Sequence, residues 1–220
     1  MKNIISKSLS DIFSATVLSF IVKIGLGSIL LWIVILWSSW DIYSSLIYTY
    51  IQKIPYIGSL EWIQSSGTFM IAILVGYMLI IVTISIATSI FSEPILKKLA
   101  KKHYPNVDIV GSPNIAKSTY LSIKAGVVFL ILFLFSSPLI FVPIFGQVWM
   151  LWLWSILIKE PNSYDVGSLF ISDKEILKDG KKKSTLIAMV ASLFNYIPIV
   201  NIFAPLFGQI LFLHKILTKK

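Results

Sequence analysis

The chain has 220 residues, of which 56% are hydrophobic and 13% are charged, with a mean hydropathy of +0.85. This composition is far more apolar than that of a soluble domain, so it predicts an integral membrane protein. The formal net charge is +9, and all nineteen basic residues are lysines, which excludes arginine forks that grip an anion bidentately. Cysteine is absent, which excludes disulfides, thiolate metal sites and a cysteine nucleophile.

The first 40 residues predict a surface helix followed by a membrane crossing. In residues 1–22, apolar side chains recur at three- and four-residue steps, as in an amphipathic helix lying at the membrane surface. The segment lacks the short apolar core and cleavage site of a secretory signal, so we expect it to be retained. Lys23 interrupts the pattern, and residues 23–40 predict a first transmembrane helix with tryptophans near its far end.

Residues 68–92 predict the second transmembrane helix, because Thr68 to Phe91 carries no charge. The lysine distribution fixes its orientation. Eighteen of the nineteen lysines precede or begin the first crossing or follow the second, and Lys53 is the exception. Positive loops stay in the cytoplasm, so the N-terminus is predicted to be cytoplasmic and the intervening loop outside. The same distribution explains the basic charge without a nucleic-acid partner.

Two later apolar runs, 125–158 and 184–214, are each interrupted by proline and glycine. Proline removes a backbone donor and breaks a helix, so each run predicts a helical hairpin. The predicted structural breaks are Pro138, Pro143, Gly146, Pro198, Pro205 and Gly208. Both runs begin and end among lysines, and two full crossings need about 40 residues plus a turn. We therefore expect hairpins that penetrate part of the membrane from the cytoplasm; two complete but thin crossings are the alternative.

The two hairpins resemble one another in sequence. Pro143–Gln147 (PIFGQ) is echoed by Pro205–Gln209 (PLFGQ), and each follows an arm with an earlier proline. Internal repeats with broken helices are common in transporter folds, where the breaks face a binding site. The fold prediction is thus a single all-α membrane domain over residues 1–220, with two transmembrane helices, two hairpins and amphipathic surface helices.

Side chains near these breaks are candidates for binding an anion. A returning helix begins with unpaired N–H groups and a positive partial charge, which lower the cost of an anion in the membrane. The predicted substrate-binding residues are Lys23, Gln147, Asn195, Asn201 and Gln209. For the amides, the alternative is that they satisfy backbone groups freed by proline. For Lys23, the alternative is that its aliphatic side chain extends to the membrane–water interface and places the ammonium group in water.

No catalytic, metal or cofactor site is predicted. His103 and His214 have no second ligand at metal-binding spacing, and Asp173 with Glu175 lies in a polar surface loop. The sequence contains no Gly-x-Ser-x-Gly elbow, no His-Glu-x-x-His and no phosphate-binding loop. We therefore expect a protein that is not an enzyme and uses no cofactor.

The second hairpin carries a recognisable motif, Ser192–Phe194, then Ile197–Phe203 with Pro205 following. This motif resembles the signature hairpin of the CysZ-type sulfate permeases. Further similarity covers most of the chain: Glu93–Ile95 through Leu99, Pro143–Gln147 with the Trp-rich residues 149–154, and Tyr164-Asp165. Before the first crossing the family has a Pro-Gly turn followed by arginines. This chain reads Ser19–Gly25 there, and only Lys23 could stand in.

The resemblance implies a multi-pass protein of the bacterial inner membrane with two crossings and two partly penetrating hairpins. It also implies a homo-oligomer that admits sulfate, passively or with proton assistance, for cysteine synthesis. Membrane lipids are the other expected partner. The alternative function is a non-transporting membrane protein that organises lipid or a protein partner through its basic cytoplasmic face.

Overall fold

The computed structural model describes residues 2–53, 66–171, 184–197 and 200–218, and these ranges are helical with no strand. Their nine α-helices are α1 (Lys2–Ile12), α2 (Ala15–Ser38), α3 (Trp40–Gln52), α4 (Thr68–Phe91), α5 (Glu93–His103), α6 (Ile115–Ser136), α7 (Phe145–Phe170), α8 (Thr185–Ser192) and α9 (Ala204–Leu217). Within the described ranges, four stretches are long and apolar enough to cross a membrane: Ala15–Ser38, Thr68–Phe91, Ile115–Phe141 and Val200–Leu217. The predicted all-α membrane class is confirmed.

The helices group into two compact units. The smaller unit, Gly25–Thr83, holds the second part of α2, helix α3 and most of α4. Within it, Trp32 Nε1 donates a hydrogen bond to Thr83 Oγ1 at 2.7 Å, and the Tyr43 hydroxyl donates to the Ala72 carbonyl. These bonds satisfy the polar ends of two aromatic side chains between apolar helices, as buried Tyr and Trp require.

The larger unit, Met1–Ile24 and Ile84–Lys220, is built around helix α9. Almost every residue of α9 is buried, including Leu206, Phe207 and Ile210, which have no more than 1% of their surface exposed. A helix that is apolar on all sides needs neighbours on all sides. Here α1, α5, α7 and α8 supply them through one continuous apolar core.

The first hairpin turns through a short 3₁₀ segment. Helix α6 ends at Ser136, the turn Ser137–Phe141 follows, and α7 begins at Phe145. Ile144 has a φ of 64°, a left-handed conformation that is strained for a β-branched residue. At Gly146 an added Cβ would lie 2.3 Å from the carbonyl oxygen of Ile140, so this turn tolerates only glycine there. Pro138 lies in the 3₁₀ turn and Pro143 just before α7.

The arms of the first hairpin are longer than the sequence predicted. Helix α6 begins at Ile115, where the Asn114 side chain caps it by accepting from the Lys117 N–H at 3.1 Å. The lysine-bearing segment and the apolar run are therefore one helix of 22 residues, about 33 Å long at 1.5 Å per residue. The prediction counted only uncharged residues, whereas a lysine can remain on a crossing helix and extend its stem to the interface.

The second hairpin is shorter and more irregular. Helix α8 has 8 residues, and two 3₁₀ turns, Leu193–Tyr196 and Val200–Phe203, lead into α9. Pro205 occupies the first turn of α9, where its missing N–H removes no helical hydrogen bond. The predicted break at Pro198 lies outside the described residues. Gly208 packs against α7, where an added Cβ would lie 2.5 Å from Asn162 Nδ2 and 2.6 Å from Ile158 Cγ2.

We expect Gly208→Ala to lower the free energy of unfolding by about 1–3 kcal/mol, because the new methyl group overpacks the α7–α9 contact. Gly27→Ala is the matched control, since nothing lies within 4 Å of a Cβ added at Gly27. The control should be neutral or stabilising by up to about 1 kcal/mol, because alanine favours a helix over glycine. Denaturant unfolding in detergent, followed by circular dichroism, measures both; equal stabilities would contradict the close packing at Gly208.

Candidate functional site

A buried carboxylate, that of Asp165 on α7, lies where four helices meet. Ser118 on α6 donates a hydrogen bond to Asp165 Oδ1, and Ser89 on α4 donates to Oδ2. Gln209 on α9 donates to Oδ2 through its Nε2 at 3.2 Å. Only 1% of the Asp165 surface is exposed. The site therefore consists of one carboxylate and three neutral donors from three other helices.

The protonation of Asp165 is set by competing effects. Burial raises the pKa of Asp165 to about 6, and the hydrogen bonds from Ser118, Ser89 and Gln209 oppose this rise by stabilising the ionised form. The carboxyl group thus changes its charge close to physiological pH. A buried acid of this kind is a recognised mark of a functional site, although structural networks also produce it.

Asn162, one helical turn before Asp165, links the same face of α7 to the second hairpin. Its Nδ2 donates to the carbonyl of Pro205 at 2.8 Å, and both Asn162 and Asp165 are buried. Asn162 therefore holds the beginning of α9, and Asp165 holds Gln209 one turn further on. The Gln209 Oε1 atom is buried without a hydrogen-bond partner among the described residues.

The two hairpins also touch near their turns. The Tyr196 hydroxyl donates to the backbone carbonyl of Gln147, and the rings of Tyr196 and Trp154 pack edge to face with centroids 4.9 Å apart. Trp149 Nε1 donates to Ser136 Oγ at 2.8 Å, which closes the first hairpin. The indole N–H of Trp154 is buried and has no acceptor among the described residues.

The five predicted binding residues occupy two kinds of environment. Lys23 and Gln147 are exposed, and Gln147 contributes its backbone carbonyl to the Tyr196 contact. Asn195, Asn201 and Gln209 are buried, with 5%, 4% and 0% of their surfaces exposed. The structure joins the Gln209 side chain to Asp165. The Asn195 Oδ1 atom has no hydrogen-bond partner in the described ranges.

Sequence reasoning missed most of the Asp165 site. It noted Asp165 only as part of an aromatic-acid pair and did not single out Ser89, Ser118 or Asn162. The available signal was the spacing of Asn162 and Asp165, which places two polar side chains on one face of a helix. The serines carry no such signal, because a serine in an apolar helix can bond to its own backbone instead.

A second polar cluster surrounds Asp11 on α1. His103 Nε2 on α5 lies 2.8 Å from Asp11 Oδ1, and His214 Nε2 on α9 lies 3.0 Å from Oδ2. Lys102 Nζ lies 3.1 Å from Oδ1. Burial disfavours the ionised carboxyl, but the bonds from His214, His103 and Lys102 outweigh burial and hold the pKa of Asp11 well below its usual range. The cluster ties α1 to the ends of α5 and α9.

Comparison with known protein families identifies a related family. The sequence model of the family described as "Sulfate transporter CysZ/Etoposide-induced protein 2.4" matches residues 4–205. No curated protein and no solved structure matches the chain. The matched range includes both hairpin turns and three residues of the Asp165 site, Ser89, Ser118 and Asp165 itself, whereas Gln209 lies beyond it.

We predict that Asp165→Asn raises stability at neutral pH. The folded-state pKa of Asp165, about 6, lies above its ordinary value of 3.8, so the fold favours the protonated acid. The free-energy cost of burying the ionised carboxylate is absent below about pH 4. It grows as the pH rises to about 6 and reaches its full value above that pH. A neutral asparagine removes this cost, which gives a gain of up to about 3 kcal/mol at pH 7.5.

Unfolding midpoints of the wild type and Asp165→Asn between about pH 4 and pH 7.5 check this prediction. The difference between the two proteins should grow with pH through the window and then level off. A difference that is the same at both ends of the range would show that Asp165 is ionised throughout.

Proposed function

The chain belongs to the family of the sulfate transporter CysZ and the etoposide-induced protein 2.4, and on that premise we propose that it is a permease or channel for a small inorganic oxyanion. Sulfate is the first candidate substrate. The observation that carries the proposal is the match over residues 4–205, which covers the first hairpin and the second as far as Pro205. Uptake of sulfate would then feed sulfur assimilation and cysteine synthesis.

Features of the hairpin turns support a path for an anion. The turns are joined through Tyr196 and Gln147, and the buried Trp154 N–H beside Tyr196 is a hydrogen-bond donor in need of an acceptor. A fully ionised oxyanion offers only hydrogen-bond acceptors. Neutral hydrogen-bond donors that are shielded from water therefore stabilise it and add no charge of their own to the membrane interior. Lys23, exposed near the start of the first apolar crossing, is the proposed cationic contact on the way in.

The change in charge of Asp165 gives the proposed permease a place for proton assistance. The ionised carboxylate of Asp165 repels a nearby anion, whereas the protonated acid does not. Asp165 also fixes Gln209, whose unpaired Oε1 could accept a hydrogen bond from the protonated acid after a rotation of the amide. Protonation of Asp165 therefore removes the repulsion of a nearby anion and favours a rearranged hydrogen bond with Gln209 on α9.

The cellular context is proposed from the family resemblance and from the distribution of lysine. We propose a bacterial inner-membrane location, as the resemblance implies, with the N-terminus in the cytoplasm, because the positive-inside rule places lysine-rich segments there. We also propose a homo-oligomer surrounded by membrane lipids, as the family resemblance implies. Each unit exposes large apolar side chains suited to lipid or to another copy, Trp37 in the smaller unit and Phe135 and Phe141 in the larger one.

One observation favours a second candidate, a non-transporting protein that organises anionic lipid or an acidic partner. Helix α5 exposes Lys98, Lys101 and Lys102, whereas its apolar residues Leu96 and Leu99 are buried in the core. This helix therefore cannot insert an apolar face into the bilayer, but its lysines can meet anionic headgroups, each contributing about 1 kcal/mol.

Uptake of labelled sulfate in bacteria that lack their own sulfate importers tests the proposed function. Expression of the wild type should restore uptake, and Lys23→Gln should reduce it roughly two- to fivefold, as expected for loss of one exposed charge contact. Lys101→Gln is the matched control, an exposed lysine on α5 that changes the same charge, and it should leave uptake unchanged.

Uptake that is no greater with the wild type than with an empty vector would contradict the permease proposal. In that case, salt-sensitive binding of the purified protein to vesicles of phosphatidylglycerol, weakened by Lys101→Gln, would support the second candidate. Vesicle binding without salt sensitivity would reject it.

A further inference from the structure

Asp11, His103 and His214 form a cluster that spacing along the sequence does not reveal. The residues lie on α1, α5 and α9, and His214 is 203 positions from Asp11. Each offers one ligand atom, and the three atoms all lie within 4.8 Å of one another. Asp11 and His214 are fully buried, whereas 20% of the His103 side chain is exposed, which leaves an approach from solvent.

Polar side chains also lie on the side of His214 that faces away from Asp11. Its Nδ1 lies 3.0 Å from the Tyr104 hydroxyl, which can accept from or donate to a ring nitrogen according to the tautomer. Thr218 Oγ1 lies 3.1 Å from the same hydroxyl and donates to the His214 carbonyl at 2.6 Å. Both ring nitrogens of His214 therefore have a polar neighbour.

The tautomer of His214 that carries its hydrogen on Nδ1 is the one that can bind a metal ion. In that tautomer the Tyr104 hydroxyl accepts from Nδ1, and the lone pair of Nε2 faces Asp11 Oδ2 at 3.0 Å. A metal ion shared by these two atoms would then replace the hydrogen bond between His214 and Asp11.

We propose that Asp11, His103 and His214 bind a divalent transition-metal ion, with Zn²⁺ as the first candidate. Two imidazoles and one carboxylate suit zinc, and three protein ligands leave a fourth position for water. Ligand atoms around a tetrahedral zinc lie about 3.3 Å apart, so the cluster needs only small side-chain movements. The Tyr104 hydroxyl supplies the acceptor that metal-bound histidines usually have on their second nitrogen.

Lys102 is the feature of the cluster that opposes a metal ion. Its ammonium lies 3.1 Å from Asp11 Oδ1, and the side chain is 56% exposed, so it can move away into solvent. Lys102 and the metal ion therefore compete for the same carboxylate. Removing the lysine charge should strengthen metal binding, whereas a purely hydrogen-bonded cluster predicts no bound metal in either protein.

Titration of the full-length protein with Co²⁺ and Zn²⁺ tests the proposal, after removal of any histidine tag and treatment with a chelator. The wild type should bind one Co²⁺ per chain with visible absorption bands, and Zn²⁺ should displace it. His103→Gln and His214→Gln should each weaken binding more than tenfold, and Tyr104→Phe by about tenfold as a partner of a ligand. Lys102→Gln should tighten binding roughly three- to tenfold.

Lys98→Gln is the matched control for Lys102→Gln, because Lys98 lies one turn earlier on α5 and donates to Thr16 instead of Asp11. It should leave the affinity unchanged. A wild type that binds no stoichiometric Co²⁺ would overturn the proposal. Equal affinities of the wild type and the double variant His103→Gln/His214→Gln would also overturn it. Should the histidine variants not fold, the wild-type stoichiometry and the Lys102→Gln and Lys98→Gln pair still decide.

Discussion

The burial of the Asp165 carboxylate is the constraint on which the larger unit depends. Removing such a group from water is costly unless hydrogen-bond donors replace the lost hydration. Here the donors are Ser89, Ser118 and Gln209, from α4, α6 and α9. These three donors contact the same carboxyl group. The end of α4, the beginning of α6, the end of α7 and the first half of α9 therefore lie next to one another around Asp165.

The contacts at the Asp165 site indicate how far each hairpin extends from it. Ser85 donates to the Leu157 carbonyl eight residues before Asp165, so α4 and α7 run in the same direction. The turn before Phe145 lies 20 residues from Asp165, about 30 Å along a helix, whereas α9 begins only five residues before Gln209, about 8 Å. The first hairpin is therefore long enough to cross the hydrocarbon core. The turn of the second hairpin lies much closer to the Asp165 site, measured along α9.

The parts of this architecture that depend on local chemistry could be predicted from sequence, and those that depend on distant partners could not. Apolar runs and prolines indicate an all-α membrane protein with interrupted helices, because each acts on its own segment. The length of the first hairpin could not be read from its uncharged run, because the lysines before that run do not end α6, which begins at Ile115. The contacts of Asp165 with Gln209 and of Asp11 with His214 join residues 44 and 203 positions apart, which no periodicity reports.

The central claim is that the first hairpin begins and ends on the cytoplasmic side, with its two ends held at Asp165. The absence of cysteine permits a direct measurement, in which single cysteines at Ala116, Ile171, Thr218 and Tyr48 are exposed to a membrane-impermeant maleimide. In intact spheroplasts we expect labelling at Tyr48 alone, and after the cells are opened we expect labelling at Ala116, Ile171 and Thr218 as well. Labelling of Ala116 and Ile171 from opposite sides of the membrane would contradict the account.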